Sequence, residues 1–278
     1  MTIFNTVIEV KTLAELLAAN NVVVVDCRFY LDDESAGRRA YEVGHIPSAQ
    51  YAHLNEDLSD LEIAGNGRHP LPSIAAMANL FGRLGISAGK PVVAYDDANG
   101  AAAARLWWML QYMGHGQVAV LNGGVPAWRA AGFQLVPGIE QNDPLNFEYQ
   151  ARPELLVQMT DVDTVPLLVD SRAPERYRGE LEPIDPVAGH IPGAKNYFYQ
   201  DNYGEDGRFL PSSQLRRQFA KLLGESPPID TTFYCGSGVT ACNNLLALAY
   251  SGLGHGRLYV GSWSQWCSDP QNSVAFAE

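Results

Sequence analysis

Basic residues are scarce in this chain: 19 Lys and Arg stand against 31 Asp and Glu, a formal net charge of −12 over 278 residues. A polyanion would be repelled by such a surface, so nucleic-acid binding is disfavoured. Long apolar runs are also missing. Val22–Val25 is only as long as a strand, far short of a membrane span. The first five residues, Met1–Asn5, lack the basic and apolar pattern of a secretory leader. Cysteine is limited to Cys27, Cys235, Cys242 and Cys267, none at C-x-x-C spacing. That argues against structural zinc and against a disulfide framework, and no metal or organic cofactor is implied. A reducing, cytoplasmic setting is expected, and it suits a working thiol. What is abundant is hydrophobic residues, at 46%, with only 18% charged. Such a composition supports packed cores, and the length suggests two of them.

The chain is written twice. Val22-Val23-Val24-Val25-Asp26-Cys27-Arg28 returns as Leu167-Leu168-Val169-Asp170-Ser171-Arg172. Gly44-His45-Ile46-Pro47-Ser48-Ala49 returns as Gly189-His190-Ile191-Pro192-Gly193-Ala194. Pro91–Tyr95 matches Asp230–Tyr234, and Gly114-His115-Gly116 matches Gly254-His255-Gly256, in the same order. This is domain duplication. In each half, short apolar strands alternate with helical patterns. In the first half the strands are Val22–Val25, Val92–Tyr95 and Val118–Leu121; the helices are Leu13–Leu17, Ile74–Leu84 and Ala101–Tyr112. The alternation predicts α/β architecture, with a mainly parallel sheet flanked by helices in each half. The boundaries read as 1–138 and 150–278. The linker, between Gly132 and Arg152, contains Pro137-Gly138 and Asp143-Pro144.

The densest chemistry lies in Thr231-Thr232-Phe233-Tyr234-Cys235-Gly236-Ser237-Gly238-Val239-Thr240-Ala241-Cys242. A strand runs into a cysteine, two glycines make a tight turn, and a helical pattern follows. Loop amides and the positive end of a helix then converge on Cys235, an environment that stabilises a thiolate. Three other readings compete. Free cysteines are commonly core residues, but a glycine-rich cradle is not needed for that. Gly236-x-Gly238-x-x-Ala241 fits the alanine form of the dinucleotide fingerprint. It comes late in its half, however, and the next strand, Arg257–Gly261, ends without an acidic residue for a ribose. A cysteine phosphatase needs an arginine six positions after the cysteine, where this chain has Ala241.

Together with Gly123-Gly124-Val125-Pro126-Ala127-Trp128 and Gly261-Ser262-Trp263-Ser264-Gln265-Trp266, these motifs resemble the two-domain rhodanese-type sulfurtransferases over nearly the whole length. The fold class implied is α/β, with two tandem rhodanese-like domains. The resemblance implies that Cys235 takes a sulfur from a donor as a persulfide and hands it to a thiol, to thioredoxin or to cyanide. Only the C-terminal domain is expected to react, because Asp96 stands where its twin has Cys235. Gly236 and Ser237 after the cysteine resemble the 3-mercaptopyruvate type, whereas thiosulfate enzymes carry two basic residues there. Ser237 is expected to assist catalysis. Arg176, with Gly236, Gly238, Val239 and Thr240, is expected to bind the donor. A second arginine found in that type is absent, with Ile184 at its place, so thiosulfate stays open as the donor.

His45, with Asp32, Asp33 or Glu34, resembles the partners of Ser237 in a serine–histidine–acid relay. Its twin His190 argues equally for a loop-pinning role. The Asp-x-Arg pairs read as loop braces. Cys27, Cys242 and Cys267 read as bystanders, His69 as a solvated loop histidine, Trp107 and Trp108 as core or interface, and Trp263 and Trp266 as pocket rim. A persulfide carrier with slow turnover is the alternative to an enzyme.

Overall fold

The computed structural model describes residues 6–97 and 100–276; the Met1–Asn5 stretch lies outside the described residues. The chain forms two compact units. The first takes the chain up to Ser59, then Pro72–Arg152 and Glu205–Arg208. The second takes Asp60–Leu71, Pro153–Gly204 and the chain from Phe209 onward. The boundaries expected from sequence, 1–138 and 150–278, are two continuous stretches. Asp60–Leu71 nevertheless folds with the second unit, a placement that no periodicity in that loop marks.

In the first unit, β1 (Val7–Ile8), β2 (Val23–Asp26), β3 (Ala49–Tyr51), β4 (Val92–Tyr95) and β5 (Val118–Leu121) form a parallel sheet in the order β1-β5-β4-β2-β3. Helices α1 (Val10–Ala18), α2 (Ala36–Val43), α3 (Ile74–Arg83), α4 (Ala101–Tyr112) and α5 (Gly124–Ala130) connect and flank the strands. The second unit repeats this order. Strands β6 (Leu156–Val157), β7 (Leu167–Asp170), β8 (Lys195–Asn196), β9 (Thr231–Tyr234) and β10 (Arg257–Tyr259) pair as β6-β10-β9-β7-β8, again all parallel. Its helices are α6 (Pro174–Arg178), α7 (Ser212–Leu223), α8 (Ala241–Tyr250) and α9 (Ser262–Trp266). Every residue of β2, β4, β5, β7 and β9 is buried, which explains their unbroken apolar patterns. Irregular chain from 139 to 152 packs on the first unit: Leu145 N–H donates to the Gly82 carbonyl, and the Phe147 ring meets Phe81 edge-on at 5.0 Å.

The duplication extends to hydrogen bonds. The Asp26 carboxylate grips the Arg28 guanidinium (2.6 Å), and the Tyr95 hydroxyl donates to Asp26 (2.7 Å) while accepting from the Ile46 amide (3.1 Å). In the second unit Asp170 grips Arg172 (2.6 Å), and Tyr234 accepts from Ile191 (3.1 Å). Each arginine also donates to the carbonyl before the His-Ile-Pro motif, Gly44 at 2.8 Å and Gly189 at 2.7 Å. These buried pairs lock the strand ends to the loops that follow. Trp107, Trp108, Trp263 and Trp266 are all buried. The reading of Trp263 and Trp266 as pocket rim is therefore corrected. Trp263 is core, with its indole N–H on the Val187 carbonyl and its ring 4.7 Å beneath the Arg172 guanidinium.

Candidate active site

Cys235 follows the last residue of β9, and its turn leads into α8. Ligand sites of parallel α/β sheets lie at this carboxyl end. The turn is tied down residue by residue. Ser262, held at φ +54°, accepts the Cys235 amide on its Oγ (3.1 Å) and donates to the Tyr259 carbonyl (3.0 Å). The amides of Trp263 and Ser264 take the carbonyls of Cys235 (3.0 Å) and Gly236 (2.9 Å). Gly238 sits at φ +76°, and a Cβ there would lie 2.3 Å from the Val260 carbonyl oxygen. Only glycine fits both constraints.

The reward for that conformation is at the sulfur. The Gly238 N–H donates to Cys235 Sγ at 3.1 Å. The amides of Gly236, Ser237, Val239 and Thr240 donate to no described residue, so they remain free for a second atom bound at the sulfur. Cys242, two turns down the same side, donates its thiol to the Gly238 carbonyl (3.3 Å). Cys235 itself is buried, at 1% exposure. A buried thiolate needs these donors, since bulk water is not there to solvate it.

Ser237 lies beside the cysteine with its Oγ 2.7 Å from Nδ1 of His69, and both are buried. The histidine partner is thus His69. His45 takes a structural place instead: its ring is fully buried, stacks on Tyr41 at 4.3 Å, and its Nδ1 meets the Tyr41 carbonyl at 2.8 Å. His190 repeats this with Tyr177, stacked at 3.8 Å and bonded at 2.7 Å. The acids proposed for a relay are surface residues. Asp33 bonds Ser35 and Arg39, Asp32 is exposed, and Glu34 offers only its backbone carbonyl, to His53. Among the described residues no cluster of His, Cys, Asp or Glu is arranged to hold a metal ion.

Arg176, on α6, reaches the same turn, joined by an arginine that the sequence did not single out. A Cβ placed on Gly236 would lie 2.8 Å from Arg68 Nη2 and 3.5 Å from Arg176 Nη1. Glu182 binds Arg176 through two contacts (2.6 and 3.1 Å) and Arg172 through one (3.2 Å). Asp185 bridges Arg68 Nη1 and Arg176 Nη2. Burial pushes the Glu182 carboxyl up, but Arg176 and the backbone amides of Asp185 and Ile184 together outweigh it and leave the group below its ordinary range. For Asp185 burial prevails over both arginines, and its carboxyl is pushed up. Ile184 is half exposed and does not enter this cluster as a side chain. Arg68 and His69 were hidden because their partners lie 117 to 196 positions away in sequence. The local signal was the Gly65-Asn66-Gly67 turn with Pro70, which marks a shaped loop.

In the first unit the corresponding turn is already filled. The Asp96 carboxylate accepts from the amides of Gly100 (2.9 Å) and Ala103 (3.1 Å). The side chain of Asp96 thus takes up amides of its own turn.

A family model described as the Rhodanese-like domain matches residues 9–131 and again 152–269. The chain is similar to a probable 3-mercaptopyruvate sulfurtransferase of Pseudomonas aeruginosa, 46% identical over 95% of this chain and 96% of that protein. It is 43% identical to a Mycobacterium tuberculosis protein provisionally named thiosulfate sulfurtransferase SseB, over 95% of each. Among solved structures, the 3-mercaptopyruvate sulfurtransferase from Leishmania major matches with a TM-score of 0.83 and 31% identity, covering 95% of this chain and 74% of that one.

Proposed function

The chain belongs to the rhodanese-like family, with its domain in tandem, and on that premise we propose that it is a sulfurtransferase working through a Cys235 persulfide, with 3-mercaptopyruvate as donor. The observation that carries this reading is the Cys235 turn, with an amide on the sulfur and the Ser237–His69 pair beside it.

The Cys235 thiolate attacks the mercapto sulfur. An S–S bond forms, the donor's C–S bond breaks, and its electron pair leaves as the enolate of pyruvate. The proton of the donor thiol ends on the enolate carbon, and Ser237 with His69 is the route for it. The outer persulfide sulfur is then stabilised by the free amides of the turn. An acceptor thiolate, thioredoxin or cyanide attacks that sulfur, takes it, and returns Cys235 to the thiolate. The donor's carboxylate pairs with Arg176. Asp96 makes the first unit inactive. The four free cysteines suit a reducing cytoplasmic compartment, and no described helix is long and apolar enough to cross a membrane.

Thiosulfate is the second reading, favoured by the two guanidinium groups at Gly236. The two donors differ in what they need from Ser237. Sulfite leaves without a carbon to protonate, whereas the pyruvate enolate needs a proton. Replacing Ser237 by Ala should lower kcat with 3-mercaptopyruvate by about 100-fold, within the usual range for general acid–base help. Turnover with thiosulfate should change by less than about threefold. Steady-state kinetics with both donors on one preparation tests this. Equal losses with the two donors would contradict the proton route, and a wide wild-type preference for thiosulfate would contradict the donor assignment.

A further inference from the structure

The second unit holds more positive charge at the cysteine turn than one donor-binding arginine explains. Arg68 and Arg176 arrive from different parts of the chain, yet both guanidinium groups come within 4 Å of one point beside Gly236, the residue next to the reactive cysteine. Like charges do not gather without a cause, and Asp185 supplies it. Its carboxylate, almost wholly buried, takes Arg68 Nη1 on one oxygen and Arg176 Nη2 on the other, at 3.1 Å for the latter. Glu182 occupies Nε and Nη2 of Arg176. What remains is directional. Arg68 Nη2 and Arg176 Nη1, the nitrogens nearest Gly236, donate to no described residue.

Arg68 is also held by its backbone. Its N–H donates to Ser264 Oγ at 3.0 Å. Gly67 before it sits at φ +85°, where a Cβ would lie 2.5 Å from the Gly261 carbonyl. The loop thus approaches the β10–α9 turn as closely as a glycine permits, and Arg68 is delivered to the site by that approach.

We infer that Arg68 is a second donor-binding arginine, acting with Arg176 to hold the carboxylate and neighbouring ketone oxygen of an α-keto acid against Gly236. The inference rests on the proposed function for the identity of the donor, and on geometry alone for anion capture. The sulfur of 3-mercaptopyruvate is one carbon from its ketone, so an oxygen end held at Gly236 leaves the sulfur beside Cys235. Arg68 then does the work of the cation missing at Ile184, from a loop that sequence places in the other half of the chain.

Two measurements on the full chain test this, with Arg68→Gln and Arg68→Lys. With 3-mercaptopyruvate, the glutamine variant should show KM raised about tenfold or more with kcat within about threefold, and lysine should recover part of the loss. Independently of any donor, Cys235 is alkylated with iodoacetate, which carries a carboxylate, and with neutral iodoacetamide, and modification is read on the Cys235 peptide. The ratio of the two rates should fall about tenfold in Arg68→Gln while the iodoacetamide rate holds. An unchanged ratio, or equal slowing with both reagents, would overturn the role of Arg68. A lowered ratio in a protein that does not turn over 3-mercaptopyruvate would instead leave Arg68 as an anion-binding residue and overturn the donor.

Discussion

Gly236 and Gly238, two positions apart in the cysteine turn, are expected to separate donor binding from folding at the residue scale. Gly238 has a left-handed backbone and no room beside the Val260 carbonyl. Gly238→Ala should destabilise the protein by about 2 kcal/mol or more, read from denaturant unfolding. Gly236 has no positive φ, and a Cβ there would meet the side-chain tips of Arg68 and Arg176 and no backbone. Gly236→Ala should leave stability within about 1 kcal/mol and raise the donor's KM several-fold, as the methyl takes space at the arginines. If both substitutions unfold the protein alike, the turn is not divided in this way. Cys235, Ser237 and Arg176 were legible as residues because their motifs are contiguous. Arg68 and His69 were not, because a loop histidine or arginine shows its chemistry only when the chain closes on it. The same closure removes His45, whose motif fits a relay but whose ring faces Tyr41.

The strands were the most readable of the elements. Val92–Tyr95 and Val118–Leu121 form over the residues expected, because strands buried on both faces must be continuously apolar, and the helix Ala101–Tyr112 between them also forms over its expected residues. What sequence could not give is how the strand ends are fastened. Asp170 and Arg172 lie two positions apart, and their side chains are buried to 1% exposure or less. Arg172 also carries Glu182 and the Gly189 carbonyl. Arg172→Met would leave the buried Asp170 carboxyl without its guanidinium partner, at a cost of about 3–5 kcal/mol. Thermal and denaturant unfolding should register it as a large loss; a change under about 1 kcal/mol would mean the pair is not what fastens β7 to its loop.

For the whole molecule, duplication yields two units that share a frame and differ at one turn. Both units build the same sheet and the same Asp–Arg–Tyr brace, and both end a central strand in a turn before a helix. In one, Asp96 fills its own turn; in the other, a sulfur occupies the turn with amides to spare. The repeat was visible in the sequence, as was the substitution of Asp96 for cysteine. The exchange of Asp60–Leu71 into the second unit was not, since that loop has neither periodicity nor a twin motif to declare its place. Two of the other thiols are held protonated: burial pushes Cys27 well above the ordinary thiol range and pushes Cys267 up as well. The most direct measurement is peptide mapping by mass spectrometry after the protein meets 3-mercaptopyruvate without an acceptor. The account predicts one added sulfur atom per chain, on the Cys235 peptide, discharged by cyanide. Sulfur carried on Cys27, Cys242 or Cys267 instead, or sulfur transfer persisting in Cys235→Ser, would contradict it.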